Sequence, residues 1–92
     1  MISKNQKSVI KKILQPVSPG MIGIFGSFAR EEYTTESDLD ILIDTYDKVN
    51  LLDIIGKEQE LSDALNIRVH LVTLRSLHET IRPFVFRDLV RI

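Results

Sequence analysis

The stretch Ser37-Asp38-Leu39-Asp40-Ile41-Leu42-Ile43-Asp44 constrains this chain more than any other. It reads as a strand. Alternation of side chains then sends Leu39, Ile41 and Ile43 to one face and Asp38, Asp40, Leu42 and Asp44 to the other. Such a strand needs a sheet with one face on an apolar core, and its other face carries two carboxylates side by side. Asp38 and Asp40 lie about 7 Å apart along the strand, close enough to converge on one or two hard cations, whereas Asp44 is about 13 Å beyond Asp40 and outside the cluster. Two ionised carboxylates this close repel each other, and Mg²⁺ completed by phosphate oxygens is a common relief. Taken alone, Asp-x-Asp reads more simply as a solvated strand end.

The partners for that strand are found nearby. Ser3 and Gln6 have the form of a capping box, and Val9, Ile10, Ile13 and Leu14 follow at helical spacing, predicting a helix from about Lys4 to Leu14. After Pro16, Pro19 and Gly20, the apolar run Met21-Ile22-Gly23-Ile24-Phe25 is too short for a helix and predicts a buried strand ended by Gly26-Ser27. Phe28 to Glu32 suggests a helical turn, and Tyr33 to Glu36 a polar loop. Asn50 caps a helix running to Asn66, in which Gly56 costs roughly 1 kcal/mol relative to alanine. Ile67 to Val72 predicts a third strand, and Ser76–Arg82 and Phe84–Leu89 two short helical pieces broken at Pro83. This order predicts an α/β (α+β) fold, a small mixed sheet with helices packed on one face and the other free to carry a site.

The chain has 92 residues, 43% of them apolar, enough for one modest core, so one domain is expected over residues 1–92. Twelve basic residues against thirteen acidic ones leave a net charge of -1, which gives no general attraction to nucleic acid or acidic membranes, so direct nucleic-acid binding is not expected. The absence of cysteine excludes disulfides and thiolate metal sites and fits a cytoplasmic setting. Neither an export signal nor a membrane span is expected from the Lys-interrupted N-terminal stretch. Phe84, Val85 and Phe86 offer apolar surface that a second copy or another partner could bury, so a homodimer is one reading.

Gly26-Ser27 follows a buried strand and opens a turn, where backbone N–H groups attract a phosphate, glycine permits close approach and serine adds a hydroxyl donor. A Gly-Ser pair alone is an ordinary loop; the conjunction with Asp38 and Asp40 is informative. Gly26-Ser27-Phe28-Ala29-Arg30, ten residues between Ser27 and Asp38, and then Ser37-Asp38-Leu39-Asp40-Ile41-Leu42-Ile43 resemble the signature of minimal nucleotidyltransferases of the DNA polymerase beta superfamily. The resemblance spans roughly Met21 to Val72 and implies the polymerase beta-like nucleotidyltransferase fold. It also implies transfer of a nucleoside monophosphate from a triphosphate, ATP, to a hydroxyl. Gly26, Ser27 and Arg30 would then hold the nucleotide, and Asp38 and Asp40 would ligate Mg²⁺, with Mn²⁺ as the alternative. Many stand-alone members of this family are antitoxins of HEPN-class helical toxins, which implies such a partner and a tyrosine acceptor on it.

Two departures matter. The family's third carboxylate falls in a segment that here reads Val69-His70-Leu71-Val72, so the third catalytic position is His70. A neutral imidazole brings no negative charge and prefers softer metals than Mg²⁺, although with an ordinary pKa near 6.5 it can accept a proton. Glu31 stands where the family often has glycine, adding negative charge beside the phosphate site. The alternative to an enzyme is accordingly a catalytically degenerate antitoxin or a nucleotide-binding protein. Arg82, Arg87, Arg91 and His78 read as ordinary surface.

Overall fold

The computed structural model describes residues 2–92. Helix α1 (Lys4–Leu14) starts at the expected capping box: the Gln6 N–H donates to the Ser3 hydroxyl at 3.1 Å and the Ser3 N–H to the Gln6 side-chain oxygen at 2.8 Å. A tight turn through Pro16 leads into β1 (Pro19–Phe25), and β2 (Leu39–Thr45) follows the glycine loop. Asn50 caps α2 (Leu51–Leu65), whose far end closes at Asn66 in the left-handed region, φ 54°. Then come β3 (Val69–Thr73), α3 (Arg82–Asp88) and the two-residue β4 (Val90–Arg91).

The sheet order is β3-β2-β1-β4. β1 is antiparallel to β2 and β4, whereas β2 and β3 run parallel, as they must when a helix, α2, makes the crossover between them. The expected mixed sheet is present. Leu39, Ile41 and Ile43 of β2 join Ile24, Val69 and Leu71 in one buried cluster with Ile10 and Leu14 of α1 and Ile54 and Leu61 of α2. At roughly 1.5–3 kcal/mol for each fully buried aliphatic side chain, this cluster fixes the register of β2, because a one-residue slip would drive Asp40 into the core.

The reverse face is open only at one end. Leu42 is fully buried there, and Leu89 fills the space in front of Gly23 so closely that a Cβ at Gly23 would collide with it. Val85, read as available for a partner, is buried within the chain at the same time as Phe84 and Phe86 stay exposed.

The end of the chain departs most from expectation. Ser76–Arg82 is not a helical piece: only Leu74–Ser76 makes a short 3-10 turn, and His78 lies in the following loop with its Nδ1 2.9 Å from the Thr80 hydroxyl. Pro83 does not break a helix but sits in the first turn of α3, where its missing N–H costs nothing. β4 is too short to leave a period in the sequence. Phe28 to Glu32 is a turn rather than a helix: Arg30 N–H donates to the Gly26 carbonyl at 3.1 Å, Glu31 N–H to that of Phe28 at 3.3 Å and Glu32 N–H to that of Ser27 at 2.9 Å, with Glu31 left-handed at φ 58°. Among the described residues no helix is long and apolar enough to cross a membrane.

Candidate functional site

The site is built where β1 ends against the start of β2 and β3. Phe25 pairs with Asp40, and Asp40 pairs in parallel register with His70, so Asp40 lies between the end of β1 on one side and His70 on the other. Gly26 at φ 73° is placed so tightly that a Cβ there would strike the Asp40 carboxylate. Glycine is required at this point for both conformation and space. Beyond it, the N–H groups of Ser27, Phe28 and Ala29 donate to no carbonyl, and nothing among the described residues hydrogen-bonds the Ser27 hydroxyl. A short run of unused donors beside a carboxylate pair is suited to a metal-bound polyanion.

Asp40 is the central group. Its Oδ1 stands 3.4 Å from His70 Nδ1, and its side chain is 24% exposed against 60% for His70. Burial pushes the Asp40 pKa up, His70 and Arg30 pull it back, and Asp38 pushes it further up. The net shift is upward from 3.8, so Asp40 favours folding most when protonated; that contribution is complete below the ordinary carboxylate value and is lost as pH rises through the raised one. Asp40→Asn is therefore expected to melt at a higher temperature than the parent in metal-free buffer at neutral pH, with the gap closing as the pH is lowered through the carboxylate range. Thermal denaturation across pH 3–7, about one unit per step, checks this.

Asp38 sits just ahead of β2 and is engaged by Arg68, whose Nε donates to Asp38 Oδ1 at 2.5 Å. The Leu39 N–H to Arg68 carbonyl bond, 2.9 Å, holds the two segments together. Arg68 was not singled out in the sequence; its position one residue before a strand parallel to the Asp-x-Asp strand is the signal that could have found it. Asp44 is at the opposite end of β2, paired with Met21, and takes no part, as expected. Arg30, by contrast, is tied by Nη1 to Asp88 at 2.7 Å and by Nε to Glu32 at 3.1 Å.

The structure thus brings together Gly26, Asp40 and His70, with Ser27 next in the chain and Asp38 and Arg30 within electrostatic reach of Asp40. Among the described residues no three acidic or histidine side chains enclose a metal by themselves. The donor chemistry nevertheless suits a divalent cation: two carboxylates offer hard oxygens, burial disfavours the charge of one of them, and phosphate oxygens usually complete such a site.

Glu31 is exposed and left-handed, which explains why glycine suits this position. Glu31→Gly is expected to stabilise the protein by about 1 kcal/mol by removing the backbone strain, measurable by urea denaturation.

The nucleotidyltransferase domain profile matches residues 6–92. The chain belongs to the nucleotidyltransferase domain family. It is 41% identical over 92 residues to the candidate protein adenylyltransferase MJ1217 of Methanocaldococcus jannaschii, covering 99% of this chain and 91% of that one. It is 42% identical over 69 residues to the protein adenylyltransferase MntA of Thermococcus cleftensis, covering 75% of this chain and 70% of the relative. A chain in the solved complex of a tri-AMPylated Shewanella oneidensis HEPN toxin with its MNT antitoxin superimposes with a TM-score of 0.78 at 26% identity, covering 99% of this chain and 71% of that one. The resemblance to minimal nucleotidyltransferases and the mixed-sheet fold expected from the sequence are both borne out.

Proposed function

We propose that this chain, acting as one domain over residues 1–92, is a cytoplasmic antitoxin. It transfers AMP from ATP to a tyrosine hydroxyl of a HEPN-type helical toxin, with Mg²⁺ or Mn²⁺ held at Asp38 and Asp40. The observation that carries the reading is the closure of Gly26 on the Asp40 carboxylate, which sets a phosphate-binding turn directly against a candidate metal ligand. The AMPylated toxin in the related complex and the adenylyltransferase names of the relatives support the choice of nucleotide and acceptor.

The Ser27 hydroxyl and the N–H groups that follow Gly26 would hold the triphosphate, and the guanidinium donors of Arg30 that its two carboxylate partners leave unused would add charge. When bound, the divalent cation neutralises phosphate charge and polarises the α-phosphorus. The acceptor hydroxyl forms its new bond to the α-phosphorus as the bond to pyrophosphate breaks, and its proton must go to a base. His70 Nδ1 faces Asp40, and a proton kept on Nδ1 leaves Nε2 as the acceptor.

A second reading is favoured by His70 itself: with the third carboxylate replaced, the chain neutralises its partner by covering it. Incubation of the purified protein with labelled ATP, either cation and the co-purified partner separates the two. Transfer detected by mass spectrometry and lost in Asp38→Ala is expected. Intact partner neutralisation without any transfer would establish the covering mode instead.

A further inference from the structure

Asp88 lies 58 residues from Arg30 in the sequence, at the last position of α3, yet its Oδ2 accepts from Arg30 Nη1 at 2.7 Å. The Asp88 side chain is only 13% exposed, whereas Arg30 is 42% exposed. A carboxylate withdrawn from water is costly unless it is paired, and Arg30 is its close partner; Arg87 Nε is at 3.8 Å from the other oxygen. Glu32, the second partner of Arg30, is 67% exposed and contributes a loose hold. Arg30 itself is the fourth residue after Gly26, anchored by its N–H to the Gly26 carbonyl, and its charge reaches Asp40.

Building on the nucleotidyl-transfer reading, we infer that Asp88 is a positioning residue: it fixes the Arg30 guanidinium beside the glycine turn so that its remaining donors face the triphosphate of the incoming nucleotide. Five guanidinium donors leave three after the bonds to Asp88 and Glu32, and a fork held on one side presents the other as a preformed phosphate contact. A freely rotating arginine would lose side-chain freedom on binding; one held by a nearly buried carboxylate has already lost it. The arrangement also makes α3, the element carrying exposed Phe84 and Phe86, mechanically continuous with the nucleotide site.

The test uses the full chain with Mn²⁺: calorimetric binding of AMP-PNP, an ATP analogue altered only at the β–γ bridge and therefore added without an acceptor, is measured in parallel with steady-state transfer from ATP. Asp88→Asn keeps the shape and removes the charge; about tenfold weaker AMP-PNP binding and a matching rise in KM for ATP are expected, with kcat little changed. Asp88→Glu is expected to recover part of the loss. Arg30→Ala should weaken binding similarly, and the double variant should be no worse than Arg30→Ala alone, since Asp88 acts only through Arg30. If Asp88→Asn merely melts earlier while binding AMP-PNP as the parent does, the pair is a structural tie and the proposal fails alone. If the parent protein binds no AMP-PNP, the nucleotide reading falls and this inference with it.

Discussion

Asp40→Ala is expected to lower AMP transfer by about a thousandfold or more and to leave the folded chain at least as stable as the parent in metal-free buffer. Two features set Asp40 apart from Asp38. It is within the strand rather than ahead of it, so its position is fixed by the register with Phe25 and His70, and it is the more buried of the two side chains, 24% against 40% exposed. It is also the carboxylate that faces the glycine turn. On the proposed reading, removing it leaves the glycine turn without its adjacent metal ligand and His70 without the carboxylate 3.4 Å from its Nδ1. Burial raises the Asp40 pKa, so removing the charge relieves a desolvation cost, and the melting curve separates loss of activity from loss of fold. Single-turnover transfer with saturating Mn²⁺, alongside a melting curve, reads both quantities. A variant that keeps a tenth of the parent rate would remove Asp40 from the centre of the site.

The strength of the sequence signal follows from how local each feature is. β2 was readable because its two faces have opposite chemistry, and α1 and α2 because Ser3, Gln6 and Asn50 cap them through bonds to residues at most three positions away. Gly26 and Asp40 were linked through the Gly-Ser and Asp-x-Asp signature, and the antiparallel register of β1 with β2 brings them together across the loop of residues 26–38. Arg68 on Asp38 and Asp88 on Arg30 could not be linked in this way: each contact joins residues thirty or more positions apart through packing that no local period records. The helical piece expected over Ser76–Arg82 is absent whereas that over Phe84–Leu89 is present as α3, and between them proline admits two opposite meanings. Pro83 ends a helix if the pattern precedes it and begins one if the pattern follows, and only the burial of Val85 and the packing of Leu89 in front of Gly23 decide between them.

His70→Asp is expected to raise Mg²⁺-supported transfer by about tenfold, with a smaller gain in Mn²⁺. The parallel register sets residue 70 directly beside Asp40, so an aspartate there would present a third oxygen donor to the same space and could still take the acceptor proton. The cost is electrostatic. His70 now draws the Asp40 pKa down and helps it ionise, whereas a second carboxylate would push it further up. Like charges directly across two strands destabilise by about 0.2–1 kcal/mol, so the metal-free variant should melt a few degrees lower at neutral pH. The same repulsion is relieved by a bound cation, and the deficit should therefore disappear when Mg²⁺ is added, a response the parent should show only weakly. The melting temperature thus falls without metal and recovers with Mg²⁺, the condition in which the rate rises. If transfer instead falls to the level of Asp40→Ala, the imidazole is the working base and aspartate cannot replace it at this distance; His70→Ala would then show the same loss.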